Sequence, residues 1–452
     1  MHYSAVQQYL DSFINYEKDP DFSYANIKIE RMHKLLDNIG NPQNTFKSIH
    51  IAGTKGKGST CAFIFSILKE YGLKVGLYTS PHLIDFRERI KIGQISDSDA
   101  TEERLISEHE VGELIAEIKP EIEKIKELTF FEVYTAIAFK FFAKEKVDFA
   151  VLETGLGGRL DATNVINPAV CGITNISYDH AQILGETLEK IATEKAGIIK
   201  DDSLVISAPQ PPEVWRVINK VCQQRKAKLY EVGRDFFYEL VGQDLRGSVF
   251  DFHSAFGDAA DLHISLLGQH QLINVTLALG VIQLLRFYEI VVSFLAIKKG
   301  LEKTRWPGRM QIVHQHPFLV LDGAQNAESA RALITAVNAL FTYKRFVLIL
   351  GVSKDKDIEG LCHHLCRQPN LIILTQAQIP RALDTESLEK TVRRFNRHTK
   401  KTSRVEQALK LALEDASQRD LIVVAGSLYL IGEVLKNLRS LEFPSFRKGK
   451  SE

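Results

Sequence analysis

Cysteine is scarce in this chain: Cys61, Cys171, Cys222, Cys362 and Cys366 are the five in 452 residues. An odd, sparse set in a long chain argues against a disulfide framework and fits a reducing compartment, so the cytoplasm is the expected location. The run Cys362-His363-His364-Leu365-Cys366 offers metal-ligand types, but no second ligand pair follows at finger-like spacing. It reads as two helical neighbours four apart on a small apolar face. Net charge is nearly absent, since 57 Lys and Arg against 56 Asp and Glu leave +1. No global field draws the chain to nucleic acid or an anionic membrane, and neither is an expected partner. Met1-His2-Tyr3-Ser4 lacks a basic stretch followed by an apolar one, so no secretory signal is read there. The longest apolar region, Leu272 to Ile297, is broken by Asn274, Gln283, Arg286 and Glu289. It reads as a buried helix and its neighbour rather than a membrane span. Internal repeats, low-complexity tracts and heptads are missing too. The basic run Arg447-Lys448-Gly449-Lys450 reads as a solvated tail.

Apolar residues at 45% and charged residues at 25% are the composition of an ordinary globular protein. The length exceeds one compact core, and domains of roughly 100–200 residues make two the natural division. Short apolar runs alternate with helical periodicity from residue 48 onward. Ser48 to Ala52, Val75 to Thr79, Phe149 to Leu152, Val170 to Ile176 and Leu204 to Ser207 read as strands. The run at 149–152 is apolar throughout and should be central. Thr60 to Tyr71 reads as a helix with Phe63, Ile67 and Leu68 on one face. Such alternation implies parallel strands with crossover helices, an α/β fold. Trp306-Pro307-Gly308-Arg309 marks the expected boundary, giving domains 1–305 and 306–452. Beyond it, Phe318 to Leu321, Phe346 to Leu350, Leu371 to Thr375 and Leu421 to Ala425 predict a smaller open parallel sheet.

Between the first strand and its helix stands Gly53-Thr54-Lys55-Gly56-Lys57-Gly58-Ser59. Glycines let a backbone wrap closely and turn its N–H groups inward, and a helix N-terminus adds partial positive charge. Lys57 would neutralise β- and γ-phosphates, and Ser59 or Thr60 would offer a hydroxyl to Mg²⁺. The strict Walker pattern fails: Ile51 holds the position of the first required glycine, and Gly58 follows the lysine. A plain glycine turn is the competing reading. The loop alone does not choose among kinase, GTPase, motor and ligase. Asn219-Lys220-Val221-Cys222 lacks the aspartate of a guanine reader.

Ligands of parallel α/β sheets gather at the carboxyl ends of strands. Glu153, Asp179-His180, Asp322 and Gly351 all fall there. Glu153 and His180, beside a triphosphate, could hold a second Mg²⁺ or orient a reacting group. For His180 alone a structural role is the default, and structural roles compete elsewhere: a helix cap for Asp161, a turn for Asp322, and for Arg309 an ion pair rather than reach to the γ-phosphate. Phe131 could stack on a flat ring, though an aromatic in Thr129-Phe130-Phe131-Glu132 is more often core.

Taken together, several motifs resemble folylpolyglutamate synthase and dihydrofolate synthase of the Mur ligase superfamily. They are the loop at 53–59, Glu153 to Asn164, Ser177-Tyr178-Asp179-His180, Ser80-Pro81-His82-Leu83 and Arg87-Glu88-Arg89-Ile90. Glu194-Lys195-Ala196-Gly197-Ile198, Gly268-Gln269-His270-Gln271 with Asn274, Trp306-Pro307-Gly308-Arg309 and Gly426-Ser427-Leu428-Tyr429-Leu430 continue the series in order. The resemblance implies a P-loop-containing, mainly parallel sheet domain followed by a smaller Rossmann-like α/β domain. It implies ATP-dependent addition of L-glutamate to folates, and to dihydropteroate, through an acyl phosphate, with release of ADP and phosphate. Closure of the domains would keep water from that intermediate.

By the same resemblance, Gly53, Thr54, Gly56, Lys57, Gly58, Ser59, Thr60, Asn274, Arg309 and Asp322 contact the nucleotide. Ser59, Glu153 and His180 match the Mg²⁺ residues, with two Mg²⁺ sites implied and a monovalent cation compatible. Lys57, Lys195, His180 and Arg309 carry the catalytic roles. Lys195 is implied to be carbamylated; the residues alone make it an ordinary helix lysine. Ser80, Pro81, His82, Thr129, Phe131 and Asp161 match the pterin and folate neighbourhood, and a monomer is implied. Three positions depart from the family pattern. Lys55 replaces an asparagine, and Gln325 and Ala327 stand in a segment that is usually Asp-Gly-Ala-His-Asn-Pro. Two alternatives compete. Peptidoglycan-precursor ligases usually place a whole domain before the loop, where only 52 residues stand here. A nucleotide-switched binding protein has no evident need for Glu153, His180 and Lys195 together.

Overall fold

The structure, a computed structural model, describes residues 3–15, 26–96 and 101–438. Met1, His2 and the basic run at 447–450 lie outside them. The chain divides into two compact units. The first comprises 1–82, 86–265 and 269–305; the second comprises 83–85, 266–268 and 306–452.

In the first unit β1 (Lys47–Ala52), β2 (Val75–Tyr78), β3 (Ile90–Ile95), β4 (Thr101–Leu105), β5 (Phe149–Glu153), β6 (Val170–Ile173), β7 (Leu204–Ser207) and β8 (Lys228–Glu231) form one sheet. Its order is β4-β3-β2-β5-β1-β6-β7-β8. The run from β2 to β8 is parallel, while β3 and β4 pair antiparallel at the edge. β5 is buried throughout and sits between β2 and β1. Helices cover both faces, as the period of two along β3 requires. Ile92 joins a cluster with the aromatic helix Phe130–Lys144. Its neighbour Gly93 leaves room for Phe65 and Lys69 of the helix Lys57–Glu70.

That helix differs from the one-faced helix read from its sequence. Every residue from Gly58 to Lys69 is buried, because the helices His270–Leu284 and Phe294–Lys303 pack against it. Gly300 permits the approach: a Cβ there would lie 2.5 Å from Ile67 Cα. The stretch His270–Tyr288 is long and apolar enough to cross a membrane by composition, and most of it is buried inside the unit. A three-stranded antiparallel sheet is an element absent from the sequence reading: β9 (Phe236–Asp244), β10 (Gly247–Ser254) and β11 (Ala259–Ile264). Phe236 of β9 packs on Phe252 and beside Gly280 of the apolar helix.

The second unit holds β12 (Gln311–Gln315), β13 (Phe318–Leu321), β14 (Phe346–Leu350), β15 (Leu371–Leu374), β16 (Thr399–Lys401) and β17 (Leu421–Ala425), in the order β12-β13-β17-β14-β15-β16. The four strands read from the sequence, β13, β14, β15 and β17, pair in parallel as expected, and β12, absent from that reading, pairs antiparallel with β13 at the edge. Only His316 and Pro317 separate them, too short for a crossover and enough for a hairpin. The core strands are apolar throughout and pack on the helices Val405–Glu414 and Leu428–Leu438. All five cysteines are buried and free.

Candidate active site

β1 delivers the chain to Gly53, and the following helix opens at Lys57 with Gly56 as its N-cap. Lys57, Gly58 and Ser59 therefore form the helix's first turn rather than part of the loop. Thr60 N–H makes the first intrahelical bond, to Gly56 O at 2.9 Å. The preceding N–H groups have no helical acceptor and present partial positive charge to an anion. Gly53 and Gly56 have φ of +147° and +91°. Side chains there would collide: a Cβ on Gly53 would lie 1.8 Å from Thr174 Oγ1, and one on Gly56 2.2 Å from Asn274 Oδ1. Asn274 thus packs directly against the loop, held by its own bond to Gln271 Oε1 at 3.0 Å.

The loop is fastened from three sides. Thr54 N–H donates to Asn175 O at 2.8 Å. Thr54 Oγ1 donates to Ser177 O and accepts from Ser177 N–H, both at 3.1 Å. Lys195 Nζ, buried near the end of the helix Leu188–Ala196, donates to Gly53 O at 2.7 Å. Burial first, and the nearby Lys57 and Lys55 cations next, bring the Lys195 ammonium down to about 7. Thr60 Oγ1 is directed to Asn274 O at 3.5 Å. The Ser59 hydroxyl makes no hydrogen bond among the described residues.

Glu153, buried at the end of β5, faces this turn. Its Oε1 lies 3.8 Å from Lys57 Nζ, and its Oε2 accepts Ser80 N–H at 3.3 Å. His180 sits in the left-handed region at φ 51°, where its N–H meets Asp179 Oδ1 at 3.1 Å. Asp179 Oδ2 accepts Lys55 Nζ at 2.8 Å. The unusual cation of the loop is therefore matched by a carboxylate. Thr154 Oγ1, Asn175 Oδ1 and Ser177 Oγ are buried at these strand ends with no hydrogen-bond partner. Orphaned polar atoms in such a cluster are what a polar ligand would satisfy. Among the described residues no three His, Cys, Asp or Glu side chains group as a metal cage.

Asp161 departs from the helix cap that competed for it. It holds the glycine-rich loop instead: Oδ2 accepts Gly155 and Leu156 N–H at 2.9 Å each, and Oδ1 accepts Thr163 N–H at 3.0 Å. Burial pushes its pKa up against these hydrogen bonds. Phe131 is half-buried, packs on Tyr78 at a centroid distance of 6.0 Å, and lies under Gly155. Thr129 caps the helix Phe130–Lys144 through a reciprocal box with Glu132. Ser80 and Pro81 follow β2, and His82 Nδ1 accepts from the buried Arg89 Nε at 2.9 Å.

Arg309 and Asp322 lie in the second unit. Asp322 Oδ2 accepts Met310 N–H at 2.9 Å and Oδ1 accepts Ala324 N–H at 2.8 Å, so this carboxylate shapes the turn beside Arg309. The half-buried Arg309 side chain has no ion-pair or hydrogen-bond partner among the described residues. Gln325 precedes the cap Asn326 of the helix Ala327–Leu340, and Ala327 is its first residue.

Two contributions escaped the sequence reading. Lys55 gains its partner only through the fold, 124 residues away. His50 alternates with apolar neighbours in β1, and nothing in that pattern separates it from a core residue.

Family models match two stretches: Mur ligase middle domain over 51–282 and Mur ligase, glutamate ligase domain, over 308–428. The dihydrofolate synthase/folylpolyglutamate synthase of Bacillus subtilis is 34% identical over 419 residues, covering 90% of this chain and 94% of that protein. The folylpolyglutamate synthase of Lacticaseibacillus casei is 32% identical, covering 97% of this chain and 99% of that one. Among solved structures, Mycobacterium tuberculosis folylpolyglutamate synthase complexed with ADP and AMPPCP superposes with a TM-score of 0.86 at 30% identity, covering 98% and 99%. E. coli FolC in complex with DHPP and ADP gives 0.84 at 30% identity, covering 97% and 98%. The phosphate loop, the carboxylate and lysine packed on it, and similarity along nearly the whole chain lead to one assignment: this chain belongs to the folylpolyglutamate synthase/dihydrofolate synthase family of the Mur ligase superfamily.

Proposed function

We infer that this chain is an ATP-dependent ligase joining L-glutamate to folates, with dihydropteroate as a second acceptor. The observation that carries the reading is the locked phosphate loop with buried Glu153 and Lys195 against it. ATP seats its phosphates on the first-turn N–H groups and Lys57. The acceptor's carboxylate attacks the γ-phosphorus, the bond to the β-phosphate oxygen breaks, and ADP leaves. The amino group of L-glutamate then attacks the acyl carbon, loses a proton, and expels phosphate as the amide forms. Two anions meet in the first step, so cations decide the barrier. Lys57 supplies one. Arg309 of the second unit is a further candidate cation, and among the described residues its guanidinium has no carboxylate partner.

Mg²⁺ takes oxygen ligands and keeps several waters, so it needs few protein groups. The Ser59 hydroxyl and the buried Glu153 carboxylate fit it, and His180 is the third residue of the same reading. When bound, Mg²⁺ neutralises phosphate charge and assists ADP departure. A second Mg²⁺ belongs to the same reading. Carbamylation of Lys195 turns a buried cation into an anion that supports these metals. The low pKa favours it, because only the free amine reacts with carbon dioxide. Phe131, Ser80, Pro81, His82 and the loop braced by Asp161 border the pterin and folate, and Thr129 positions Phe131. Free cysteines suit a cytoplasmic enzyme. A monomer is inferred from the family, and sedimentation near 51.0 kDa checks it.

The test is ADP release in the presence of both a folate and L-glutamate. Release with either one alone, or with neither, ends the ligase reading. Comparing dihydropteroate with tetrahydrofolate as acceptor decides the second activity. Lys195→Ala should lose roughly 10²-fold or more in kcat and regain part of it with short carboxylic acids. Wild-type activity in that variant removes the carbamate. The amine fraction at Lys195 falls as pH drops below about 7, so carbamate formation should weaken on that side.

A further inference from the structure

His50 stands inside the central strand β1, fully buried, with apolar Ile49 and Ile51 beside it. A hydrophobic residue is what this position otherwise asks for. Its Nδ1 is buried without a hydrogen-bond partner, a deficit of about 1–3 kcal/mol when nothing offsets it. The other ring nitrogen is engaged: Nε2 lies 2.8 Å from Thr163 Oγ1, and Thr163 Oγ1 lies 2.5 Å from Asp161 Oδ1.

The direction of this chain follows from counting donors. Asp161 already accepts three backbone N–H groups, from Gly155, Leu156 and Thr163, which favour the carboxylate. A carboxylate only accepts, so the Thr163 O–H donates to it. The Thr163 oxygen then accepts, and His50 carries its proton on Nε2. The reverse chain would place an N–H on the unpartnered Nδ1. A buried orphan donor is rarer than an orphan lone pair. Burial brings the imidazole down to about 3, so it stays neutral with a single proton.

We propose that His50 is a positioning residue of the acceptor site: through Thr163 it fixes Asp161, and Asp161 fixes the 155–164 loop that borders the folate. This rests on the reading of that loop as the acceptor's border. With the relay, both Asp161 oxygens have two donors each, and the carboxylate has one orientation. Without it, Thr163 can rotate away and Asp161 loses its strongest neighbour.

Steady-state kinetics on the full-length enzyme, with a tetrahydrofolate acceptor and with ATP, separates the roles. Glutamine can place an amide N–H where Nε2 stands, whereas asparagine places it near Nδ1. His50→Gln should keep the acceptor KM within about threefold, and His50→Asn should raise it about tenfold, the effect of one lost hydrogen bond. Thr163→Val should match His50→Asn, with the ATP KM within about twofold in all three, and the double variant should be no worse than Thr163→Val alone. Equal behaviour of His50→Asn and His50→Gln, additive losses, or a parallel rise in the ATP KM would overturn the relay. Should His50→Asn fail to fold, Thr163→Val carries the decision: an unchanged acceptor KM in that variant overturns the relay. Asp161→Asn separates the two levels. If it raises the acceptor KM while His50→Asn does not, only the relay is wrong. If it leaves the acceptor KM unchanged in an otherwise active enzyme, the reading of the loop is wrong.

Discussion

At the carboxyl end of β5, Glu153 looks across 3.8 Å at Lys57, beside a loop whose first-turn N–H groups have no helical acceptor. At the carboxyl end of β13, Asp322 turns both oxygens to backbone N–H groups of its own unit, at 2.9 and 2.8 Å. Both are buried carboxylates at equivalent edges of parallel sheets. Around the first, Thr154, Asn175 and Ser177 keep buried polar atoms without partners. Around the second, the carboxylate shapes a turn, and Arg309 is the group without an ion-pair or hydrogen-bond partner among the described residues. The first edge is built to be completed by a ligand. The second is built to present one cation on a braced turn.

Removing Lys57 should break this contrast most severely. Lys57→Ala is expected to cut folate-dependent ADP release by roughly 10²–10³-fold while thermal unfolding stays near wild type. An unchanged rate would deny the first edge its ligand role. Asp322→Asn should do the opposite kind of damage. Its amide cannot accept on both sides, so about 2 kcal/mol of stability should go, visible in denaturant unfolding, with loss of activity following from the Arg309 turn. A stable but inactive Asp322→Asn would move Asp322 from bracing to direct nucleotide contact. The smallest change should come from Lys55→Asn. Lys55 pairs with Asp179 at 2.8 Å, and the asparagine amide keeps a hydrogen-bond donor at this position, so the exchange should shift the ATP KM by about a few-fold. A collapse of activity there would mean that the pair holds His180 in its left-handed conformation.

The fold was legible where one periodicity ruled. β5, β7 and β14 are short apolar runs, and such runs must be buried on both faces. The antiparallel β9–β11 sheet was not legible. β9 is largely exposed, so its pattern carries little burial signal. The hairpin of β12 on β13 was hidden by its partly buried, polar sequence. The helix after the phosphate loop has a one-faced pattern in sequence. Its outer side is covered by helices more than 200 residues further on, which no local window contains.

Of the site, the order of residues alone specifies the loop. Gly53, Gly56, Lys57 and Ser59 follow a strand and open a helix, and local backbone geometry makes that arrangement an anion cradle wherever it occurs. It also determined which carboxylates stand at strand ends, since strand and side chain are neighbours in the chain. Tertiary structure alone decided what those groups do. Asp161 became a brace rather than a cap, Lys55 acquired Asp179, and burial of Lys195 against Gly53 brought its pKa down to about 7. His50 became the start of a relay ending 111 positions away at Asp161. Hydrogen bonds and desolvation depend on what lies within a few ångströms, and for these residues the neighbours come from distant parts of the chain.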